Sequence, residues 1–255
     1  MTFAVAAESY DAYMGRYSRL LAPLFAGFAG IERGHRVLDV GCGPGALTAE
    51  LAAWVGAAQV AAADPSASFV SACAARVPGV DVRNSAGEQL PWPDNNFDAA
   101  LAQLVLPFML DAPAAVREMV RVVRHGGIVA ACTWDHGGEM QMLGTFWDAA
   151  RAQHPDAVSE AQASRYGDRD TLAGLWRAAG LADVRTDALV VATRYEDFDD
   201  YWRPFLTGTG PGGRYCVSLN DTEREALRDG CERRLGAPRG PFILTARAWT
   251  VRGTP

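Results

Sequence analysis

A glycine-rich turn between an apolar run and a helical segment is the part of this sequence best suited to bind a ligand. The run 37–40 predicts a buried strand, and 46–54 has the composition of a helix. Between them, Gly41, Gly43 and Gly45 permit unusual backbone angles and let a ligand approach the backbone closely. The helix that follows directs its free N–H groups at the same place. A strand, a glycine turn and a helix in this order predict a nucleotide-type site.

An acidic residue at the end of the next predicted strand has the position of a ribose partner. Asp64 follows the strand predicted over 59–63 and lies about 20 residues beyond the glycine turn, a spacing that suits nucleotide-binding sheets. A carboxylate there can accept hydrogen bonds from both hydroxyls of a ribose. Beside Pro65 and Ser66 it can also cap the following helix, and the two roles are compatible. A ribose contact alone does not separate one adenosine-containing cofactor from another.

The glycine turn fits two known patterns. Gly41, Gly43 and Ala46 match the dinucleotide-binding pattern G-x-G-x-x-G/A. Asp39, followed by the three glycines, matches D-x-G-x-G-x-G, the first motif of class I S-adenosylmethionine (SAM) methyltransferases. The full run VLDVGCGPGALT resembles this motif more closely than it resembles a dehydrogenase loop. The turn therefore favours SAM over a nicotinamide dinucleotide.

The segment 85–98 discriminates between these two cofactors. Its sequence SAGEQLPWPDNNFD resembles the methyltransferase signature G-D-A-E-x-L-P-F-x-D-x-S-F-D, for which NAD enzymes have no equivalent. In that family an aspartate and a backbone N–H of this loop hold the adenine. Ala86 stands at the aspartate position here, so the adenine amine would have to bind Glu88, the backbone or water. The resemblance spans 36–135 and is closest to the ubiquinone/menaquinone-biosynthesis-like branch, which methylates small molecules.

The resemblance implies SAM as the cofactor, with S-adenosylhomocysteine as its product, and a set of contacts. Asp39 would support the amino-acid end of the cofactor, while Gly87 and Glu88 would lie on the adenine side. Gln103 ends the strand predicted over 99–105, where ligands bind in open α/β sheets, although an ordinary solvent-facing amide has the same pattern. The residues that we expect to contact the cofactor are Asp39, Gly41, Cys42, Gly43, Gly45, Asp64, Pro65, Ser66, Gly87, Glu88, Gln103 and Leu104.

The segment 8–28 predicts an amphipathic helix with three tyrosines on its apolar face. Packing against the main domain accounts for Tyr10, Tyr13 and Tyr17. In the resembling family, however, a helix before the first strand commonly covers the cofactor, which implies that residues 1–30 form a lid. The tyrosine rings would then shield the sulfonium of SAM, since ring faces favour cations.

The resemblance also implies a reaction that needs little chemistry from side chains. An O, N or C atom of a small-molecule acceptor would displace the SAM methyl group in line, and the protein would mainly align and desolvate the reactants. A base would matter only for a hydroxyl or a protonated amine. Tyr17 and His136 are candidates for this base, although a solvated loop histidine is the more ordinary interpretation of His136. We expect segments 136–168 and 196–218 to form a cap around the acceptor pocket, which Trp134 could wall.

The composition excludes several other classes of function. The chain has 255 residues, a net charge of −6 and no lysine, which rules out Schiff-base and Walker A lysines. The negative charge argues against nucleic-acid binding. No run reaches the ~18 apolar residues of a membrane span, and we find no signal-peptide pattern. Widely spaced cysteines and isolated histidines predict reduced thiols, a cytoplasmic location and no metal site.

The predicted elements follow the order βαβαβαβαβ and then helix, strand, helix, helix and strand. Such alternation predicts an α/β fold, a doubly wound sheet with helices on both faces, in a single domain over 1–255. The resemblance adds a seven-stranded, Rossmann-like sheet that is mostly parallel, with an antiparallel last strand and helical cap segments. Within this order, 125–127 (His-Gly-Gly) predicts a turn that ends a helix, and the glycine-rich run 207–213 predicts a mobile loop or hinge.

Two other functions fit parts of the sequence. An NAD-dependent oxidoreductase would use the same glycine turn and ribose carboxylate, but Gly45 and the Leu-Pro-Trp run at 90–92 disfavour it. A non-catalytic, SAM-binding regulatory protein would keep the fold without methyl transfer, and Ala86 is compatible with that role. Neither the identity of the acceptor nor the oligomeric state is readable from the sequence.

Overall fold

A seven-stranded sheet forms the centre of the fold. The structure is a computed structural model that describes residues 7–159 and 165–255. In chain order its strands are β1 (Val37–Val40), β2 (Val60–Asp64), β3 (Asp81–Asn84), β4 (Phe97–Gln103), β5 (Val123–Trp134), β6 (Ala182–Tyr195) and β7 (Phe242–Thr254). They lie side by side in the order β3-β2-β1-β4-β5-β7-β6.

The first five strands run parallel, and their order reverses between β1 and β4. Val37 of β1 is aligned with Val60 of β2 on one side and with Ala99 of β4 on the other. The carboxyl ends of these strands therefore share one edge, beside the switch point where ligands bind in doubly wound sheets. β7 lies between β5 and β6 and is antiparallel to both. This arrangement confirms the predicted fold.

Helices cover both faces of the sheet. In chain order they are α1 (Ala7–Tyr10), α2 (Arg16–Ala29), α3 (Ala46–Val55), α4 (Ala67–Arg76), α5 (Ala112–Val122), α6 (Gln141–Gln153), α7 (Arg169–Ala178), α8 (Phe198–Trp202), α9 (Gly210–Ser218) and α10 (Asp221–Arg234). A π-helical turn, Asp11–Gly15, joins α1 to α2. The apolar core on one face of the sheet includes Phe25 and Leu51, and the core on the other includes Met119 and Trp176.

The predicted turn at 125–127 belongs instead to β5. These residues lie where the pairing between β4 and β5 shifts its register. A Cβ on Gly127 would lie 2.6 Å from the carbonyl oxygen of Asp98, so glycine permits a close contact between neighbouring strands there.

The predicted mobile loop at 207–213 is wrong in its second half, because α9 begins at Gly210. A Cβ on Gly210 would lie 2.9 Å from the ring of Tyr13, and one on Gly213 would lie 2.8 Å from the backbone of Gly208. These glycines are therefore required by close packing and do not make a hinge.

The five cysteines are buried and form no disulfide in the described structure. Over 7–159 and 165–255, no helix is long and apolar enough to cross a membrane. The same residues hold no cluster of three or more side chains suited to a metal ion. Residues 1–6 of the predicted lid and 160–164 of the predicted cap lie outside the described residues.

Candidate functional site

The glycine turn follows β1 directly and is built from three residues with positive φ. Gly41, Gly43 and Gly45 have φ values of +73°, +52° and +91°. A Cβ on Gly41 would lie 2.4 Å from the side chain of Val105, and one on Gly45 would lie 2.9 Å from the sulfur of Cys73. A Cβ on Gly43 would have no described atom within 4 Å other than those of its chain neighbours. Two of the glycines are thus needed for packing, and Gly43 faces open space.

Asp64 braces this turn from the end of β2. Its carboxylate accepts hydrogen bonds from the backbone N–H of Gly43 at 2.9 Å and of Ser66 at 2.8 Å. Burial raises the pKa of Asp64, while the two N–H groups oppose that shift. Since each carboxylate oxygen can accept more than one hydrogen bond, the group can still bind a further donor.

A cleft of about 1010 Å³, here called the main cleft, lies at the carboxyl ends of β1, β2 and β4. It brings together most of the residues predicted to bind the cofactor, namely Gly41, Gly43, Asp64, Pro65, Ser66, Gly87, Glu88, Gln103 and Leu104. Gly45 does not line it but lies beneath the turn, against Cys73.

Glu88 fixes one wall of the main cleft. Its Oε1 atom accepts hydrogen bonds from the backbone N–H of Leu110 at 2.9 Å and of Asp111 at 3.1 Å. Leu110 is 95% exposed and lines the cleft together with Ala86 and Gly87. The side chain of Glu88 therefore holds an apolar loop beside the position predicted for adenine.

A smaller cavity of about 300 Å³, the inner cavity, lies behind the glycine turn and is lined by Asp39, Cys42, Ser18 and Gln103, among others. Asp39 is 1% exposed, and its Oδ2 accepts a hydrogen bond from the Thr48 hydroxyl at 2.6 Å. Gln103 donates from Nε2 to the carbonyl oxygen of Ser18 at 3.1 Å. The other carboxylate oxygen of Asp39, Oδ1, and the amide oxygen of Gln103, Oε1, are buried with no partner in the described chain.

Burial also raises the pKa of Asp39 to about 7, although the Thr48 hydrogen bond opposes this shift. A buried carboxyl with an unfilled acceptor position favours a donor, and a cation above all. The inner cavity therefore offers two unpaired acceptor oxygens that suit a positively charged hydrogen-bond donor.

Residues 38–131 match a family model described as a methyltransferase domain. The chain is 32% identical over 179 residues to the malonyl-[acyl-carrier protein] O-methyltransferase of Pseudescherichia vulneris, with 69% of this chain and 66% of that one covered. It is 28% identical over 176 residues to the ubiquinone/menaquinone biosynthesis C-methyltransferase of Pectobacterium atrosepticum, with 61% and 70% covered. The chain belongs to the class I SAM-dependent methyltransferases. The YcgJ protein of Bacillus subtilis shares the fold, with a TM-score of 0.58 at 20% identity over 91% of this chain and 97% of that one.

The cavities of this methyltransferase fit SAM, the cofactor of its family. SAM carries an ammonium group, and Asp39 and Gln103 each present an unpaired acceptor oxygen in the inner cavity. It carries a ribose, and Asp64 lines the main cleft with lone pairs to spare. Gly43 lines both cavities and leaves the space that a Cβ would fill.

Tyr10 and Tyr17 of the N-terminal helical segment have different surroundings in the methyltransferase. Tyr10 lines both cavities and packs edge-on against Phe69 of α4, with ring centres 5.7 Å apart. Tyr17 is fully buried in the core, with its hydroxyl 2.9 Å from that of Tyr195, and burial raises its pKa. The structure thus brings Tyr10 to the predicted site and does not bring Tyr17 there.

A third cavity of about 440 Å³, the β5-end cavity, adjoins the main cleft. His136 lines it, and burial lowers the pKa of this histidine to about 4, against the opposing charge of Asp135. Leu143 and Pro211, which come from the two predicted cap segments, also line it, as does Tyr13. The methyltransferase thus has a separate space beside the main cleft.

The loop that carries His136 is fixed to β7. Arg247 donates from Nη2 and Nε to Asp135 Oδ2 at 2.6 and 2.9 Å, and the N–H of Asp135 donates to the Arg247 carbonyl oxygen at 2.9 Å. The guanidinium also pairs with Glu139 at 3.1 Å. These contacts hold His136 at the end of β5.

Our sequence interpretation missed several residues that line the main cleft, namely Phe69, Val105, Phe108, Met109 and Leu110. A usable signal was present in the run LVLPFML at 104–110. An apolar loop directly after a strand's carboxyl end is unusual, because loops normally expose polar residues, and such a segment indicates a binding surface.

Proposed function

We propose that this methyltransferase moves a methyl group from SAM to an O, N or C atom of a small molecule by in-line displacement. The observation that carries the proposal is the junction of two cavities. The main cleft and the β5-end cavity share Tyr10, Leu104 and Phe108 as lining residues. A cofactor in one cavity and an acceptor in the other would meet at this shared wall, as methyl transfer between them requires.

In this arrangement the inner cavity takes the amino-acid end of SAM and the main cleft takes its nucleoside. Asp39 and Gln103 receive the ammonium group, and Asp64 accepts from the ribose hydroxyls. The apolar loop held by Glu88 flanks the adenine. Because Ala86 offers no side-chain acceptor, the adenine amine binds Glu88 or the backbone.

Bound SAM supplies a methyl group that its sulfonium already activates for transfer. The protein then has to align the acceptor and exclude water, a contribution that can reach about 7–11 kcal/mol. We assign part of this role to α1 and the π-helical turn as a lid, since Tyr10 lines all three cavities and Asp11 pairs with Arg76 of α4. For a hydroxyl acceptor, His136 is the candidate base, because its lowered pKa keeps it unprotonated at neutral pH.

The proposal predicts that Asp64→Ala will weaken binding of SAM and S-adenosylhomocysteine by about tenfold or more, because a hydrogen bond to a charged group is worth about 1.5–3 kcal/mol. Calorimetric titration of the purified protein with SAM, S-adenosylhomocysteine and NAD checks this. Asp148→Ala is the matched control, since Asp148 is 63% exposed and pairs with Arg151 at the surface. Binding of NAD alone would support the oxidoreductase alternative and exclude SAM as the cofactor.

A second measurement separates an enzyme from a SAM-binding regulatory protein. We expect S-adenosylhomocysteine to form when the protein is incubated with SAM and a panel of small-molecule acceptors. Cofactor binding without product from any member of the panel would favour the regulatory alternative, with which Ala86 is compatible.

A further inference from the structure

The β5-end cavity holds three buried polar atoms that no described residue satisfies. They are the hydroxyl of Thr133, the indole Nε1 of Trp134 and the Nδ1 of His136. Thr133 is 1% exposed and Trp134 is 4% exposed. Each buried, unpaired polar group costs about 1–3 kcal/mol, so these three groups take their partners from water or from a ligand that enters the cavity.

The walls of this cavity define the chemistry of that ligand. The described lining residues include no aspartate, glutamate or arginine, and His136 is held in its neutral form. A carboxylate or phosphate would enter without a cation to receive it, at a high cost in desolvation. An ammonium group would meet ring faces but no carboxylate, so its desolvation would be only partly offset. Aromatic rings from Tyr10, Phe108 and Trp134 form much of the wall and favour contact with another ring.

On the basis of the proposed function, we propose that the β5-end cavity is the acceptor site and that the acceptor is a neutral aromatic molecule with a hydroxyl group. The hydroxyl accepts a hydrogen bond from Trp134 Nε1 and donates one to His136 Nδ1. The Thr133 hydroxyl forms a hydrogen bond with a second polar substituent of the acceptor. Trp134 and His136 thereby select for uncharged hydroxyaromatic acceptors and orient them towards the main cleft.

Binding to the protein saturated with S-adenosylhomocysteine tests this assignment without requiring turnover. Four probes of similar size are titrated at pH 6.5: 4-hydroxyacetophenone, which is neutral; 4-hydroxybenzoate, an anion; tyramine, a cation; and acetophenone, which lacks the hydroxyl. We expect 4-hydroxyacetophenone to bind most tightly. Tighter binding of either charged phenol, or no binding by any of the four, would overturn the proposal.

Trp134→Phe keeps an aromatic ring but removes the N–H donor. It should weaken binding of 4-hydroxyacetophenone by about two- to twelvefold, the range for one neutral hydrogen bond. Binding of acetophenone should stay within about twofold of its original affinity. His136→Leu should have the same hydroxyl-specific effect. Trp54→Phe is the matched control, because the Trp54 indole donates to Glu50 on α3 and does not line the described cavities.

The outcomes separate this proposal from the proposed function. If S-adenosylhomocysteine fails to bind the unmodified protein, the proposed function fails and the acceptor assignment fails with it. If it binds but Trp134→Phe weakens both ketones equally, the tryptophan only shapes the cavity, and the hydroxyl assignment alone is wrong.

Discussion

Replacing Asp39 by asparagine should weaken binding of S-adenosylhomocysteine by about 10- to 150-fold at pH 8, the range expected for one hydrogen bond to a charged group. Asp39 is 1% exposed, and its Oδ1 has no partner in the described structure. The proposed partner is the ammonium group of the ligand. Asparagine has the same shape and keeps an acceptor for Thr48 but carries no charge, so the loss measures the electrostatic part of this contact.

The pH dependence of binding provides a sharper test of the same contact. Burial raises the pKa of Asp39 to about 7, and an arriving ammonium group would lower it again. At pH 7 the carboxyl of Asp39 is therefore partly protonated in the unliganded protein, and binding should release that proton. Titrations in two buffers with different ionisation enthalpies count this proton. Asp39→Asn should abolish the release, and Asp148→Asn at the surface should leave it unchanged; an unchanged count in Asp39→Asn would place the ammonium group elsewhere.

Asp39 should also affect the unliganded protein: its charge favours ligand binding but lowers the stability of the empty fold. Burial raises the pKa of Asp39 from about 3.9 in the unfolded chain to about 7 in the folded protein. The protonated carboxyl therefore contributes its full stability below about pH 3.9, and this stability is lost as the pH rises to about 7. The melting temperature of Asp39→Asn relative to the original protein should therefore increase between pH 4 and pH 7 and then level off. A residue that destabilises the empty protein but binds the ligand is typical of a functional site.

The parts of the site that the sequence predicted are those coded by local pattern. Gly41, Gly43 and Asp64 are each adjacent to the end of a strand, and parallel pairing brings strand ends to one edge. Their positions therefore follow once the strands are assigned. The unpaired oxygen of Gln103 depends in addition on the backbone of α2, which lies 85 residues earlier in the chain, and no local pattern contains that information.

The β5-end cavity was less predictable for the same physical reason. Its lining comes from the N-terminal helix, the loop after β4, the end of β5 and two later helices. The sequence identified Trp134 and His136 as candidates, but a polar side chain is ordinary until its burial and its lack of partners are known. At 210–213 the local pattern was misleading. The glycine-rich composition predicted a mobile loop, whereas these glycines are needed because the chain packs closely against Tyr13 and Gly208.

Gly43 allows a direct test of whether the open space at the glycine turn belongs to the cofactor. Gly43→Ala should weaken S-adenosylhomocysteine binding by about 5- to 150-fold, since forcing a methyl group into an occupied site costs about 1–3 kcal/mol. Without ligand, the new Cβ would meet no described atom within 4 Å beyond its chain neighbours. The substitution should therefore cost the empty protein only the strain of φ at +52°, about 1–2 kcal/mol, or a fall of about 2–8 °C in melting temperature.

Gly34→Ala provides the matched control. Gly34 has φ of +91° and an equally open Cβ position, but it is exposed and does not line the three cavities. Both variants thus carry backbone strain, and only one places a methyl group in the main cleft. A comparable fall in melting temperature with loss of binding in Gly43→Ala alone would assign that space to the cofactor. Equal binding by the two variants would show that the ligand does not approach the turn, because strain is the only change they share.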